Sequence, residues 1–205
     1  MIYNHINQYR LIYLERRIAM EINIENLMKT AIEEMKNGQH TEAAKHFDMV
    51  VINDPANIDA PFFRAYCNCY DIKLGEMSNA AIGFTNAFYR YVDSVKALQD
   101  PVQEKEKLDY AVSLLTELVS MFKLNANNTM FTAPSIGISI STAATNMNTN
   151  CRNKLINSGA KVSAEILSIN ETTGQANNKT GIVLGVLVAI GVIAFILWMI
   201  PWYLL

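Results

Sequence analysis

The stretch "RAYCNCYD", residues 64–71, holds two of the three cysteines in the chain. Thiolates bind zinc and copper, and paired thiols exchange disulfides, so Cys67, Cys69 and Cys151 raise the question of a metal or redox site. Helix geometry opposes it. Two residues apart on a helix, Cys67 and Cys69 point about 200° apart, and no CxxC pair or nearby histidine completes a tetrahedral set. Buried free thiols are the plainer reading; a metal- or thiol-dependent redox protein using Cys67, Cys69 and Cys151 is the alternative. His40 and His46 have no acidic or nucleophilic partner implied by spacing and read as surface residues of a turn and the helix after it. Glu33-Glu34, Glu104-Lys105-Glu106-Lys107 and Asp109 read as solvated helix faces with local ion pairs. No phosphate-binding glycine loop, HExxH or GxSxG elbow occurs. The sequence therefore predicts no enzyme, no catalytic residue, no metal and no cofactor.

The balance of charge narrows the partners. Over 205 residues the formal charge is −2, which offers no clustered basic surface for nucleic acid. Three cysteines are too few for a disulfide-stapled scaffold and suit a reducing compartment. Arg10, Glu15, Arg16 and Arg17 interrupt the apolar character of the first residues, so no secretory signal is read there. Residues 1–20 are taken as an N-terminal extension, with Met20 a competing start.

The other end differs. From Ile182 to Leu205 no residue is charged, a run of about 36 Å as helix at roughly 1.5 Å per residue, enough for a hydrocarbon core of about 30 Å. Trp198, Trp202 and Tyr203 fall where a far headgroup region would lie. Residues 181–205 are thus expected to be a single transmembrane tail anchor. Arg152, Lys154, Lys161 and Lys179 precede it and no charge follows, which puts the N-terminal part in the cytoplasm by the positive-inside rule. Gly181, Gly185 and Ala189 would permit weak self-association of such spans, against the plainer reading of an ordinary anchor.

The elements that must position any site are helices. Ile24, Leu27, Met28, Ala31, Ile32 and Met35 recur at the spacing of one helical face, and Gly38 follows as a C-terminal stop. Thr41 is placed to cap a second helix with Ala43, Phe47, Val50 and Val51 inside, ended by Asp54-Pro55. Gly75, Ala80, Phe84 and Ala87 then reproduce the spacings of Gly38, Ala43, Phe47 and Val50, 37 residues on. A long helix from Ser78 to about Gln99 follows, and Asp100-Pro101-Val102-Gln103 caps a last one carrying Leu108, Ala111, Val112, Leu115, Leu118, Val119 and Phe122.

On these residues, 24–57 resemble a tetratricopeptide repeat: Leu27, Ala31, Gly38, Ala43, Phe47 and a closing Pro55. The next unit, with Ala65, Gly75, Ala80, Phe84 and Ala87, resembles it less well, having about three inserted residues and no closing proline. The Asn- and Ile-rich chain looks like a small bacterial member. The resemblance implies an all-α fold of TPR-like hairpins, about five helices over residues 21–125, and a non-catalytic adaptor or scaffold binding a protein or short peptide segment. It also implies a binding face on the first helices, with Glu34, Arg64, Asn68 and Asp71 as polar candidates and Phe63 as apolar anchor. Where peptide-tail-binding members keep Lys, Asn and Arg for a terminal carboxylate, this chain has Met28, Ile32 and Phe63, so that clamp is not expected. The aromatic set around Phe62, Tyr66, Tyr70, Phe88, Tyr89 and Tyr91 suits core packing better than a groove.

Residues 126–180 turn to Asn, Ser, Thr, Ala and Gly and read as a polar tether, partly helical at most. Ala144, Met147, Cys151 and Leu155, then Val162, Ile166 and Leu167, are the only hints of an amphipathic pair.

Overall fold

Backbone chemistry sets the limits of the first hairpin. The computed structural model describes residues 23–163; the chain divides into Met1–Val162 and Ser163–Leu205, and the fold described is that of the first unit. The N-terminal extension, Ile166, Leu167 and the apolar run 181–205 lie outside the described residues. The first helix (α1) runs through residues 23–36. Gly38, at φ 77°, closes it: Gly38 donates to Met35 and Gln39 to Glu34, at 3.2 and 2.9 Å, the paired bonds of a left-handed helix stop. α2 follows at His40–Asn53 and ends before Asp54-Pro55.

α3 spans Asp59–Cys67, and the Asn57 side chain accepts from the amides of Asp59 and Ala60 at its start. A 3-10 turn, Leu74–Glu76, leads into α4, Met77–Ala97. Asp100 accepts from Val102 and Gln103 with Pro101 in the first turn, capping α5 as its sequence predicts. α5 does not stop near residue 125. It continues to Met130, and α6, Pro134–Ser158, folds back along it.

α6 corrects the reading of residues 126–180 as a tether that is partly helical at most: most of the described part of that segment is helix, and the hinted Ala144, Met147, Cys151 and Leu155 lie on its buried face. Gly137, Ile140, Ala144, Met147, Cys151, Arg152 and Leu155 form a buried stripe at helical spacing, while the outward face, where Ile136, Ile138 and Ile156 are also exposed, is mainly Ser, Thr and Asn. Those residues are poor helix formers; burial of the stripe against α4 and α5 outweighs the propensity. Pro134 opens the helix and Gly159, at φ 63°, ends it. Val162, the next apolar residue of the expected pair, follows the helix outside any regular element. Among the described residues there are therefore six α-helices, not five, and no strand.

The contacts fix how these helices run. Asp59 and Phe62 of α3, and Cys69 in the turn just beyond it, meet Tyr91, Phe88 and Ala80 in that order, so α3 and α4 are antiparallel. α3 and α5 are parallel: Asp59 bonds Lys107, 48 residues on, and Tyr70 bonds Glu117, 47 residues on. α4 and α6 are parallel too, with Ser78–Ser139, Tyr89–Asn150 and Asp93–Lys154 all separated by 61 residues. α5 and α6 thus each run antiparallel to the helix before them and parallel to the one before that, an all-α arrangement compatible with a helical repeat.

The core is aromatic where α2, α3, α4 and α5 converge. Phe62 stacks on Tyr91 at 4.3 Å and touches Phe84 and Phe88; Phe63 lies between Phe47 and Tyr110. Each such buried ring contributes about 1.5–3 kcal/mol. Ala31 and Ala43 are fully buried, as close-approach positions require, and Phe47, Phe84 and Ala87 are buried as well. The second unit departs from the first in backbone. Gly75 lies in the 3-10 turn without a positive φ, and the left-handed residue of that connection is Asp71, at φ 53°. Ala81, not Ala80, is the fully packed alanine of α4, and Ala65 and Ala80 are half-buried.

Candidate functional site: two helix faces

Of the residues expected at a binding face, most are engaged in tying the hairpins together. Glu34 Oε2 lies 2.7 Å from His46 Nδ1 across α1 and α2. Arg64 donates to Asp48 across α2 and α3 at 2.5 Å. Asp71 accepts from Thr41 at 3.0 Å, so Thr41 is an interhelix tie; the residue before α2 is Gln39, without a side-chain cap. Asn68 is exposed just after α3. Phe63 is only 6% exposed and belongs to the core, which corrects its reading as a surface anchor. Pro55 is exposed in the α2–α3 connection.

The histidines also differ from their reading as plain surface residues. His46 has an acidic partner in Glu34. His40 stacks on Tyr70 at 3.6 Å, meets Tyr66 edge-on, and keeps Nδ1 buried with no hydrogen-bond partner. Tyr66 and Tyr70 join hydroxyls at 2.8 Å, and Tyr70 donates to Glu117 at 3.0 Å. Burial holds His40 below the ordinary histidine range, opposed by the negative charges of Glu117 and Asp71. The charged run at the start of α5 likewise reaches inward: Glu104 is buried and accepts from the Lys161 amide at 3.0 Å.

The three thiols are buried in the core. Cys67, Cys69 and Cys151 are free and at most 2% exposed. Burial pushes each up to about 12. Cys69 points at the Ala65 and Ala80 carbonyls, in the seam between α3 and α4.

A face that no local sequence pattern announces lies between α4 and α6. There the parallel helices leave a groove of about 510 Å³. Ala81, Ala143 and Met147 lie along it, with Ala81 and Met147 buried. The Ser78–Ser139 hydroxyl pair (2.9 Å) and the bond from Tyr89 to the Asn150 carbonyl (3.2 Å) cross between its two walls. Thr142, Asn146 and Asn150 follow one another along α6, facing Ile82 and Asn86 of α4. None of its lining residues is charged. Its nearest ion pair, Lys154–Asp93 at 2.6 Å, sits one turn beyond Tyr89 and Asn150. Groups of three or more His, Cys, Asp or Glu able to hold a metal are absent among the described residues. The groove can bind by hydrogen bonds and apolar contact.

Compared with known proteins, the chain matches no family model, no curated protein and no solved structure. The class that stands on the geometry is an all-α protein of six packed helices. Among the described residues no helix is long and apolar enough to cross a membrane.

Proposed function

We propose that the protein is a non-catalytic interaction module of the tetratricopeptide type, an adaptor or scaffold held at the cytoplasmic face of a membrane by its C-terminal apolar run. The observation that carries the interaction reading is the registered array: α3 runs parallel to α5, bridged at separations of 48 and 47 residues, and α4 parallel to α6, bridged at 61 throughout. Stacked helices of this kind present continuous faces built from successive units, and such faces bind other chains. The tetratricopeptide assignment rests on Ala31, Gly38, Ala43 and Phe47, whose burial and left-handed glycine suit that repeat. The membrane assignment rests on the uncharged residues Ile182–Leu205.

Two experiments on the full chain test the reading. Deleting residues 181–205 should move the protein from the membrane to the soluble fraction, and Ile190→Arg should weaken insertion by about 3 kcal/mol. A full-length chain that stays soluble without detergent refutes the anchor. Co-purification from detergent-solubilised membranes should recover specific protein partners, and none being recovered refutes the adaptor. Arg64→Glu with Asn68→Ala asks whether the α3 face contributes. Phe63→Ala is unsuitable there, because emptying a buried aromatic site costs about 3–5 kcal/mol of stability.

A further inference from the structure

We infer that the α4–α6 groove is a binding site for a short, uncharged, extended peptide segment, read mainly through its backbone. The inference rests on the interaction reading above and names the ligand class of one face.

Three features select that ligand. The first is charge. With no Lys, Arg, Asp or Glu in the lining, a carboxylate, phosphate or ammonium entering the groove would give up part of its hydration for neutral hydroxyls and carboxamides, with no opposite charge in the lining to compensate. The second is chemistry. A carboxamide offers both a donor and an acceptor, the same pair a peptide group offers, and Asn86, Asn146 and Asn150 bring three carboxamides to one groove. The third is spacing. Thr142, Asn146 and Asn150 lie one turn apart on α6, a rise of about 6 Å per step. Peptide groups facing one way in an extended chain recur every two residues, about 6.6–6.8 Å. The two ladders agree to within about 1 Å per step, so a peptide stays in register over two steps and then drifts.

The same numbers set the length. From Ser139 to Asn150 the groove follows about 16 Å of helix, which matches about five extended residues. Ile82, 61% exposed on the α4 wall, gives one side chain of the ligand an apolar contact. The ligand is thus a neutral segment of about five residues with one aliphatic side chain.

The test uses the full-length chain and fluorescein-labelled, C-terminally amidated pentapeptide pools of Ala, Ser, Thr, Asn and Val, beside pools with Asp or Lys at the central position. Fluorescence anisotropy should show the neutral pools binding about tenfold more tightly than the charged ones. Asn146→Ala with Asn150→Ala removes exposed amides and should lower affinity about tenfold with melting temperature unchanged. Ala143→Phe, which fills the groove, should abolish binding. Neutral pools that bind no better than charged ones, or binding indifferent to these variants, overturn the inference. Membrane partners recovered by a chain whose peptide binding is absent or indifferent to these variants overturn the groove and leave the adaptor reading standing. Variant-sensitive peptide binding in a chain that recovers no partner from membranes upholds the groove and overturns the wider reading.

Discussion

Lys107 grips Asp59 with both carboxylate oxygens in range, 2.7 Å to Oδ2 and 2.9 Å to Oδ1, while Tyr91 donates to the same carboxylate at 2.8 Å. One side chain of α3 thereby joins α5 and α4. Both members of the ion pair are about a quarter exposed, so the carboxylate is partly desolvated and its bonds are stronger than those of a surface pair. Asp59→Ala leaves the Lys107 ammonium and the buried Tyr91 hydroxyl without a partner and should cost about 2–4 kcal/mol in urea denaturation. Lys107→Met keeps the Tyr91 bond and should cost less. Equal losses from the two variants would show that the three groups do not act as one tie.

Gly137 is where α6 first touches α5. A Cβ there would stand 2.9 Å from the Ala126 carbonyl oxygen and 3.1 Å from the Met130 backbone. Backbone cannot swing aside as a side-chain tip can, so Gly137→Ala should cost about 1–3 kcal/mol. Gly83, inside α4, meets nothing within 4 Å. Gly83→Ala should therefore stabilise the chain by about 0.5–1 kcal/mol through helix propensity. The opposite signs are read from two melting curves; a neutral Gly137→Ala would mean the helices do not approach as described.

Acid should loosen the His40 stack. The folded protein holds His40 below the ordinary value of 6.5, so the unfolded chain takes up its proton first. This contribution to stability is complete above pH 6.5 and is lost as the pH falls through that value towards the folded one. His40→Phe keeps the ring against Tyr70 and removes the titration. The urea midpoint of the wild type should fall between pH 7 and 5.5 more steeply than that of the variant. Parallel curves would remove His40 as the cause.

The three thiols should behave as core. With each pushed up to about 12 by burial, a disulfide reagent at pH 8 should label none within minutes in the native chain and all three in denaturant. A native thiol that reacts at the rate of free cysteine would revive thiol chemistry at Cys67, Cys69 or Cys151.

How far the fold is legible in sequence depends on what carries the signal. α1 to α5 announce themselves because bulky apolar residues recur at helical spacing and Gly38, Pro55 and Asp100-Pro101 punctuate them. α6 is half-legible: Ala144, Met147, Cys151 and Leu155 show its inner face, but Gly137 and the many Ser, Thr and Asn residues around that stripe make the average composition that of a tether. Pro134 and Gly159 were the further signals that would have bounded it, a proline at the start and a glycine past the end. The 37-residue pattern shows the opposite failure: Gly75 repeats the position of Gly38 but not its backbone, and the strained turn falls on Asp71. The groove was not legible at all. It exists because residues 61 apart are brought side by side, and no local window contains both walls.

The late position of α6 in the chain has a consequence for synthesis. α4 and α5 are complete at the ribosome before any residue of α6 is made, yet Ile140, Met147 and Leu155 supply the apolar cover of their shared seam. Lys154–Asp93 and the bond from Lys96 to the Ser158 carbonyl close only when the last turn has emerged. At roughly 5–20 residues per second, the 25 residues of α6 take about 1–5 s. For that interval the nascent chain carries an uncovered hydrophobic seam, and a chaperone that recognises such a seam has its opportunity in that window.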